Sequence, residues 1–368
     1  MNIWKSIVGL IVTSVLSASV WAQGSTCEEQ LNAATAEFDA GRFYGISSML
    51  KPCIDKGYSR EQRQRAYLLL TQTYILLDDP IGADNSYLEV LRANPEYLAD
   101  TARDQIEVVY LSKRFTASPI FSFFVRIGGN VSPVEVINTI NPSGVSLSNN
   151  YTLKPGWQWG GGVDWNITER IALTGELNYA FTAYKKNQLR FPTGEPDEEE
   201  FYDKQYWFSV PLSIKYSDTK GKIRPYGFVG YAVSWLFTDK GQIRIFKRDS
   251  QTGSETPATL EASSPSLNFN SYRRKLNTSM FFGGGVRYKR GINFLFAEMR
   301  YSFGLSNVVV GSSTFDSSGP AAEYGHVDDY FRLDNLSVSV GFVWPLYKPR
   351  KVNRAKTKSV LKGIKKAT

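Results

Sequence analysis

The sequence predicts an α+β chain of more than one domain: a helical front domain, then an eight-stranded antiparallel β-barrel that crosses a membrane with its strands. Three observations predict it. Apolar residues recur at helical spacing between Cys27 and Phe115; from Pro119 onward the period changes to two, in eight long runs; and the connections between those runs alternate short and long.

With 368 residues the chain has room for two or three domains, and its 21 Tyr, 22 Phe and 8 Trp exclude a disordered polymer. Residues 1–22, "MNIWKSIVGLIVTSVLSASVWA", combine Lys5, an apolar run from Ile7 to Leu16 and the small-x-small ending Val20-Trp21-Ala22, so they read as a secretory signal peptide. Gly24, Ser25 and Thr26 before Cys27 do not form a lipid-attachment lead. No later run has the 18 or so consecutive apolar residues of a spanning helix, which leaves strands as the only membrane-crossing element.

The formal charge of +8 is local. Residues 348–368 hold nine cations and no acid: Lys348, Arg350, Lys351, Arg354, Lys356, Lys358, Lys362, Lys365 and Lys366. The rest of the chain is close to neutral, so no nucleic-acid partner is expected. The tail instead suits an anionic envelope polymer or lipid headgroups, or stays solvated.

Within residues 23–117, Tyr67-x2-Leu70-Thr71-x2-Tyr74, then Ala83-x3-Tyr87 and Pro95, resembles the tetratricopeptide spacing, with Thr71 where Gly is usual. Ala83 lets two antiparallel helices approach while Tyr74 and Tyr87 fill the groove beside it. A looser copy includes Gly41, Phe43 and Leu50. The resemblance implies a domain that binds a periplasmic protein or acts as a spacer. Two repeats need added support, and Cys27 and Cys53, at the same end of an antiparallel helix pair, are expected to form a disulfide in an oxidising compartment.

The eight runs are Ile120–Val131, Thr152–Trp165, Ile171–Tyr184, Gln205–Tyr216, Tyr226–Thr238, Leu276–Lys289, Asn293–Leu305 and Leu333–Trp344, within a barrel domain of 118–347. Long loops are expected at 132–151, 185–204, 239–275 and 306–332. An even strand count returns the chain to its starting side, which puts the helical domain and the basic tail together in the periplasm.

One face of these runs carries Phe121, Phe123, Trp157, Trp159, Trp165, Phe208, Trp235, Phe237 and other aromatics among Val, Leu and Ile. The opposite face carries Gly and Ser with Arg126, Asp164, Glu176, Lys215, Arg287, Glu298 and Arg300. Small residues and balanced charge suit a cramped lumen, so the apolar face looks outward to outer-membrane lipid. A soluble lipocalin-like carrier needs the reverse polarity, and a β-sandwich adhesin needs no alternation of loop length.

The segments "YWFSVPLSIKY", "RPYGFVGYAVSW", "FFGGGVRYKRG" and "EMRYSFGLSNV" resemble the outer-membrane β-barrel proteins of Bacteroidota, similar to small OmpA-type barrels, over about 230 residues. That resemblance implies an anchor or accessory subunit of a secretion, assembly or envelope-tethering machine. A small channel or transporter and a surface adhesin are the alternatives.

Catalysis is not expected. His326 is the only histidine, no nucleophile motif surrounds it, and a site with two imidazole ligands is impossible. No cofactor or metal is implied. Gly160–Gly162 and Gly283–Gly285 read as strand glycines, since no helix or Lys-Ser/Thr follows them. The acidic run Gly194–Asp203 reads as a hydrated outside loop and Asp249–Ser266 as a loop tip.

Overall fold

The computed structural model describes residues 26–140, 149–190, 197–249, 258–311 and 322–352. The expected signal peptide lies outside them. The chain forms two compact units: one comprises the residues up to Pro119 and those from Tyr347 onward, the other Ile120–Leu346.

The first unit holds helices α1 (26–39), α2 (Ile46–Lys56), α3 (Arg60–Leu76), α4 (Pro80–Ala93) and α5 (Ile106–Ser112). Helix α3 starts at a capping box in which Ser59 and Gln62 satisfy each other's backbone N–H. Helix α4 starts at Asp79, whose carboxylate accepts from the backbone of Ile81 and Gly82, with Pro80 at the first position. Ala83 and Tyr87 are buried and Tyr74 packs against their cluster. Gly82 admits no side chain, because a Cβ there would lie 2.8 Å from the Tyr74 ring.

The expected disulfide is present, with Cys27 and Cys53 Cα atoms 5.7 Å apart. Strand β1 (Phe115–Thr116) pairs with β14 (Arg350–Lys351), so the start of the basic tail belongs to this unit. Lys351 also contacts Asp84. Arg354, Lys356, Lys358, Lys362, Lys365 and Lys366 lie outside the described residues.

The second unit is a ten-stranded antiparallel sheet. Eight strands are long: β2 (Phe121–Val131), β4 (Asn150–Asn166), β5 (Ile171–Arg190), β6 (Asp197–Ser217), β7 (Ile223–Asp249), β10 (Leu276–Arg290), β11 (Asn293–Gly304) and β13 (Asn335–Pro345). Strands β2, β4, β5, β6 and β7 pair in that order, and β10, β11 and β13 continue in sequence order. Two further ladders join these runs, Leu276–Tyr288 against Ile223–Trp235 and Leu336–Pro345 against Ser122–Val131. The short strands β8 (Ala258–Ser263) and β9 (Leu267–Asn268) add to β7, while β3 (Val134–Asn138) pairs with β12 (Tyr330–Leu333).

Side chains alternate along each long strand. On β5, Leu173 and Leu177 are exposed while Thr174, Glu176 and Asn178 are buried. The tight turns sit at one end; Gly221 and Gly291 take φ of 84° and 67° there, which a residue with a Cβ rarely adopts.

The expected loops 185–204 and 239–275 are corrected: β5, β6 and β7 continue through much of them. Phe201, Ile243 and Ile245 on these extensions face inward onto Tyr184, Phe269 and Phe331, so burial continues past the apolar outer band. The acidic run is corrected with them. Residues Asp197–Asp203 lie on β6, with Glu199 and Asp203 buried. Likewise Ala258–Ser263, expected in a loop tip, is strand.

Candidate functional site

Inward-facing positions of the second unit build two layers of charge. In the lower layer, Arg300 donates to both oxygens of Glu176 at 2.9 and 3.0 Å, and Arg126 reaches Glu176 at 3.0 Å and also holds Glu298. The Tyr226 hydroxyl donates to Glu298 at 2.9 Å. Asp164 accepts from Lys215 and Arg287, each at 2.9 Å, and from Thr174 at 2.6 Å. The seven lumen charges expected from sequence are therefore brought together as two paired groups.

Aromatic rings line this layer, which the Gly/Ser reading of the inner face missed. The Arg300 guanidinium lies 4.5 Å from the centre of the Phe281 ring and 4.8 Å from that of Phe228. Space is short: a Cβ on Gly230 would meet the Leu212 carbonyl oxygen at 2.3 Å and Phe281 at 2.6 Å.

The upper layer lies beyond the apolar outer band, inside the extended ends of β5, β6 and β7. Fully buried Arg273 donates to Asp239 at 2.8 Å, Asp203 at 3.3 Å and Asp328 at 2.6 Å. Lys186 pairs with Asp329 at 3.0 Å, and the Tyr151 hydroxyl donates to the same carboxylate at 2.6 Å. His326, expected in the last long loop, is buried. Its Nδ1 meets Glu199, its Nε2 lies 3.2 Å from Asp328, and its ring sits 4.2 Å from that of Phe201.

Burial disfavours the imidazolium, but Glu199 and Asp328 outweigh it and hold the His326 pKa above its ordinary value. Burial likewise opposes ionisation of Asp328, yet Arg273 and His326 keep it well below the usual carboxylate range. A signal for this layer was present in the sequence. Tyr184 and Lys186, then Glu199, Phe201, Asp203 and Gln205, continue period two past the predicted strand ends.

Between the layers is a chamber of about 130 Å³, lined by Asn178, Ser209, Ser234 and Asn277 together with Trp207 and Phe281, with Arg126 and Arg300 on its wall. Among the described residues no three His, Cys, Asp or Glu side chains are arranged to hold a metal ion, and no helix is long and apolar enough to cross a membrane.

The long strands thus form an antiparallel sheet with apolar side chains on one face and charged side chains on the other. No protein-family profile matches the chain, and no curated protein matches it. Solved structures similar to it are outer-membrane β-barrels. Neisserial surface protein A is 14% identical, over 61% of this chain and 97% of that one, with a TM-score of 0.26. OprG from Pseudomonas aeruginosa is 11% identical, over 63% and 99%, with a TM-score of 0.31. The outer membrane protease OmpT from Escherichia coli is 10% identical, over 63% and 98%, with a TM-score of 0.34.

The expectation that the chain is not an enzyme is corrected at this point. OmpT is a protease and another similar barrel, PagL, is an outer membrane enzyme, so likeness to this class does not exclude catalysis.

Proposed function

We propose that this chain is an outer-membrane protein whose eight long strands close into a transmembrane β-barrel, anchoring a tetratricopeptide-like helical module in the periplasm for a protein partner. The observation that carries the reading is connectivity. Strands β2 and β13 are paired neighbours, Ser122 opposite Pro345, so the chain enters and leaves the barrel side by side at the end with the tight turns. Both flanks then fold into the helical unit, through the pairing of Phe115–Thr116 with Arg350–Lys351.

The membrane assignment is supported by the outward rows of Trp, Phe, Leu and Val and by the pairing of every expected lumen charge inside, where lipid would make each cation cost about 2–4 kcal/mol. The spacing of Tyr67, Leu70, Tyr74, Ala83, Tyr87 and Pro95 supports the module assignment, with α3 packed on α4. The cations of the tail add a second contact for an anionic envelope component.

The test has two parts. Carbonate washing and heat-modifiable gel migration should place the full chain in the membrane as a folded barrel. Affinity isolation in mild detergent, with and without residues 23–114, should recover a partner only with the helical unit. Recovery of identical proteins from both versions overturns the module reading, and a soluble full chain overturns the barrel.

A further inference from the structure

The outer surface of β4–β7 changes character abruptly where the apolar band ends. On β5, β6 and β7 the apolar band ends at Phe181, Tyr206 and Phe237. The next outward positions are Lys204 and Lys240, directly opposite each other. One row further, Lys185 faces Tyr202, which faces Gln242; in the row after that, Glu200 faces Arg244. Lys154 on β4 closes the side, beside the register shift that precedes Trp157.

These rows hold five cations, Lys154, Lys185, Lys204, Lys240 and Arg244, against one carboxylate, Glu200. Glu200 is taken by Lys185. Among the described residues the other four have no carboxylate partner, and Lys204 lies 5.0 Å over the Tyr202 ring. Lys154, Lys185, Glu200, Tyr202, Gln242 and Arg244 line one shallow groove. The next acids on this face, Glu198 and Glu261, stand further from the band.

We infer that this face binds the phosphorylated headgroup of an anionic lipid in the leaflet at the extended end of the barrel. The inference rests on the membrane-barrel reading. Four adjacent strands at about 4.8 Å spacing spread the cations over roughly 14 Å, wide enough for a headgroup bearing more than one phosphate. Charge and position together select the occupant: the patch is positive, and it begins one residue row above side chains that face acyl chains. Tyr202 and Tyr206 are amphipathic rings at that same boundary.

The experiment is native mass spectrometry of the full-length protein, purified in mild detergent and titrated with diphosphoryl lipid A, monophosphoryl lipid A or phosphatidylcholine. Diphosphoryl lipid should be retained most and phosphatidylcholine least. At about 1 kcal/mol per cation near an anionic surface, K185Q/K204Q/R244Q should weaken retention on the order of 100-fold. A control triple at the tight-turn end, K220Q/K222Q/R290Q, should leave it unchanged. Free inorganic phosphate at millimolar concentration should not displace the lipid; displacement would make the site a phosphate site and overturn the lipid assignment. Equal retention by wild type and K185Q/K204Q/R244Q, or equal retention of phosphatidylcholine, overturns it too. Heat-modifiable migration of each variant reports the barrel separately, so loss of lipid binding with a folded barrel is distinguishable from failure of the membrane-barrel reading.

Discussion

Replacing Glu176 by Gln removes one charge from a group that is balanced as it stands. Arg126 and Arg300 face Glu176 and Glu298, two cations against two carboxylates, and the Glu176 side chain is 2% exposed. After the replacement both guanidiniums share Glu298 alone, and three contacts at 2.9–3.0 Å are lost or weakened. Breaking a buried pair by removing one partner costs about 3–5 kcal/mol, mostly because the remaining charge is left without compensation in a site that excludes water. That is a fifth or more of the roughly 5–15 kcal/mol stability of a typical domain.

Urea titration of the detergent-folded protein, followed by the heat-modifiable band, measures the loss. The double variant E176Q/R300M, which restores balance between Arg126 and Glu298, should recover more than half of it, since apolar replacement of a whole buried pair is often neutral. A loss below about 1 kcal/mol for E176Q would show that water already solvates these groups. The lumen would then be a wet passage, and the small-channel alternative would gain what the pairing now denies it.

Three further outcomes are expected. Reducing the Cys27–Cys53 bond, which closes a separation of 26 residues, should cost the helical unit about 3 kcal/mol by loop entropy, read as lost amide protection there and not in β2–β13. Because the folded His326 pKa is raised, its contribution is complete below the ordinary histidine value of about 6.5 and is lost as pH rises through the folded value. Asp328, held low, contributes above about pH 4 and loses that contribution only as pH falls toward its folded value. Protease susceptibility of residues 322–333 should therefore increase on the alkaline side, and H326Q should flatten that dependence; an unchanged profile in H326Q refutes the assignment to His326. Finally, G230V should abolish the heat-modifiable form, since no relaxation of one side chain clears the Leu212 carbonyl oxygen 2.3 Å from the added Cβ.

Period two along Ile171–Phe181, the helical spacing around Tyr67–Tyr87 and the polarity of the two strand faces are local properties, and the sequence by itself determined them. Alternation needs only neighbours in the chain to assign a face. The same locality made Arg126, Asp164, Glu176, Lys215, Arg287, Glu298 and Arg300 legible as inward residues. Which of them meet was not legible, because Arg126 and Glu298 are 172 residues apart and their contact depends on pairing register. The upper layer was hidden for a second reason. Strands β5–β7 outrun the apolar band, so their outward residues turn polar and mimic loop composition while inward Tyr184, Phe201 and Ile243 stay buried. Only the tertiary structure decided that Arg273 from one connection and His326 and Asp328 from another converge there, because burying Arg273 is tolerable only when three carboxylates from three segments surround it.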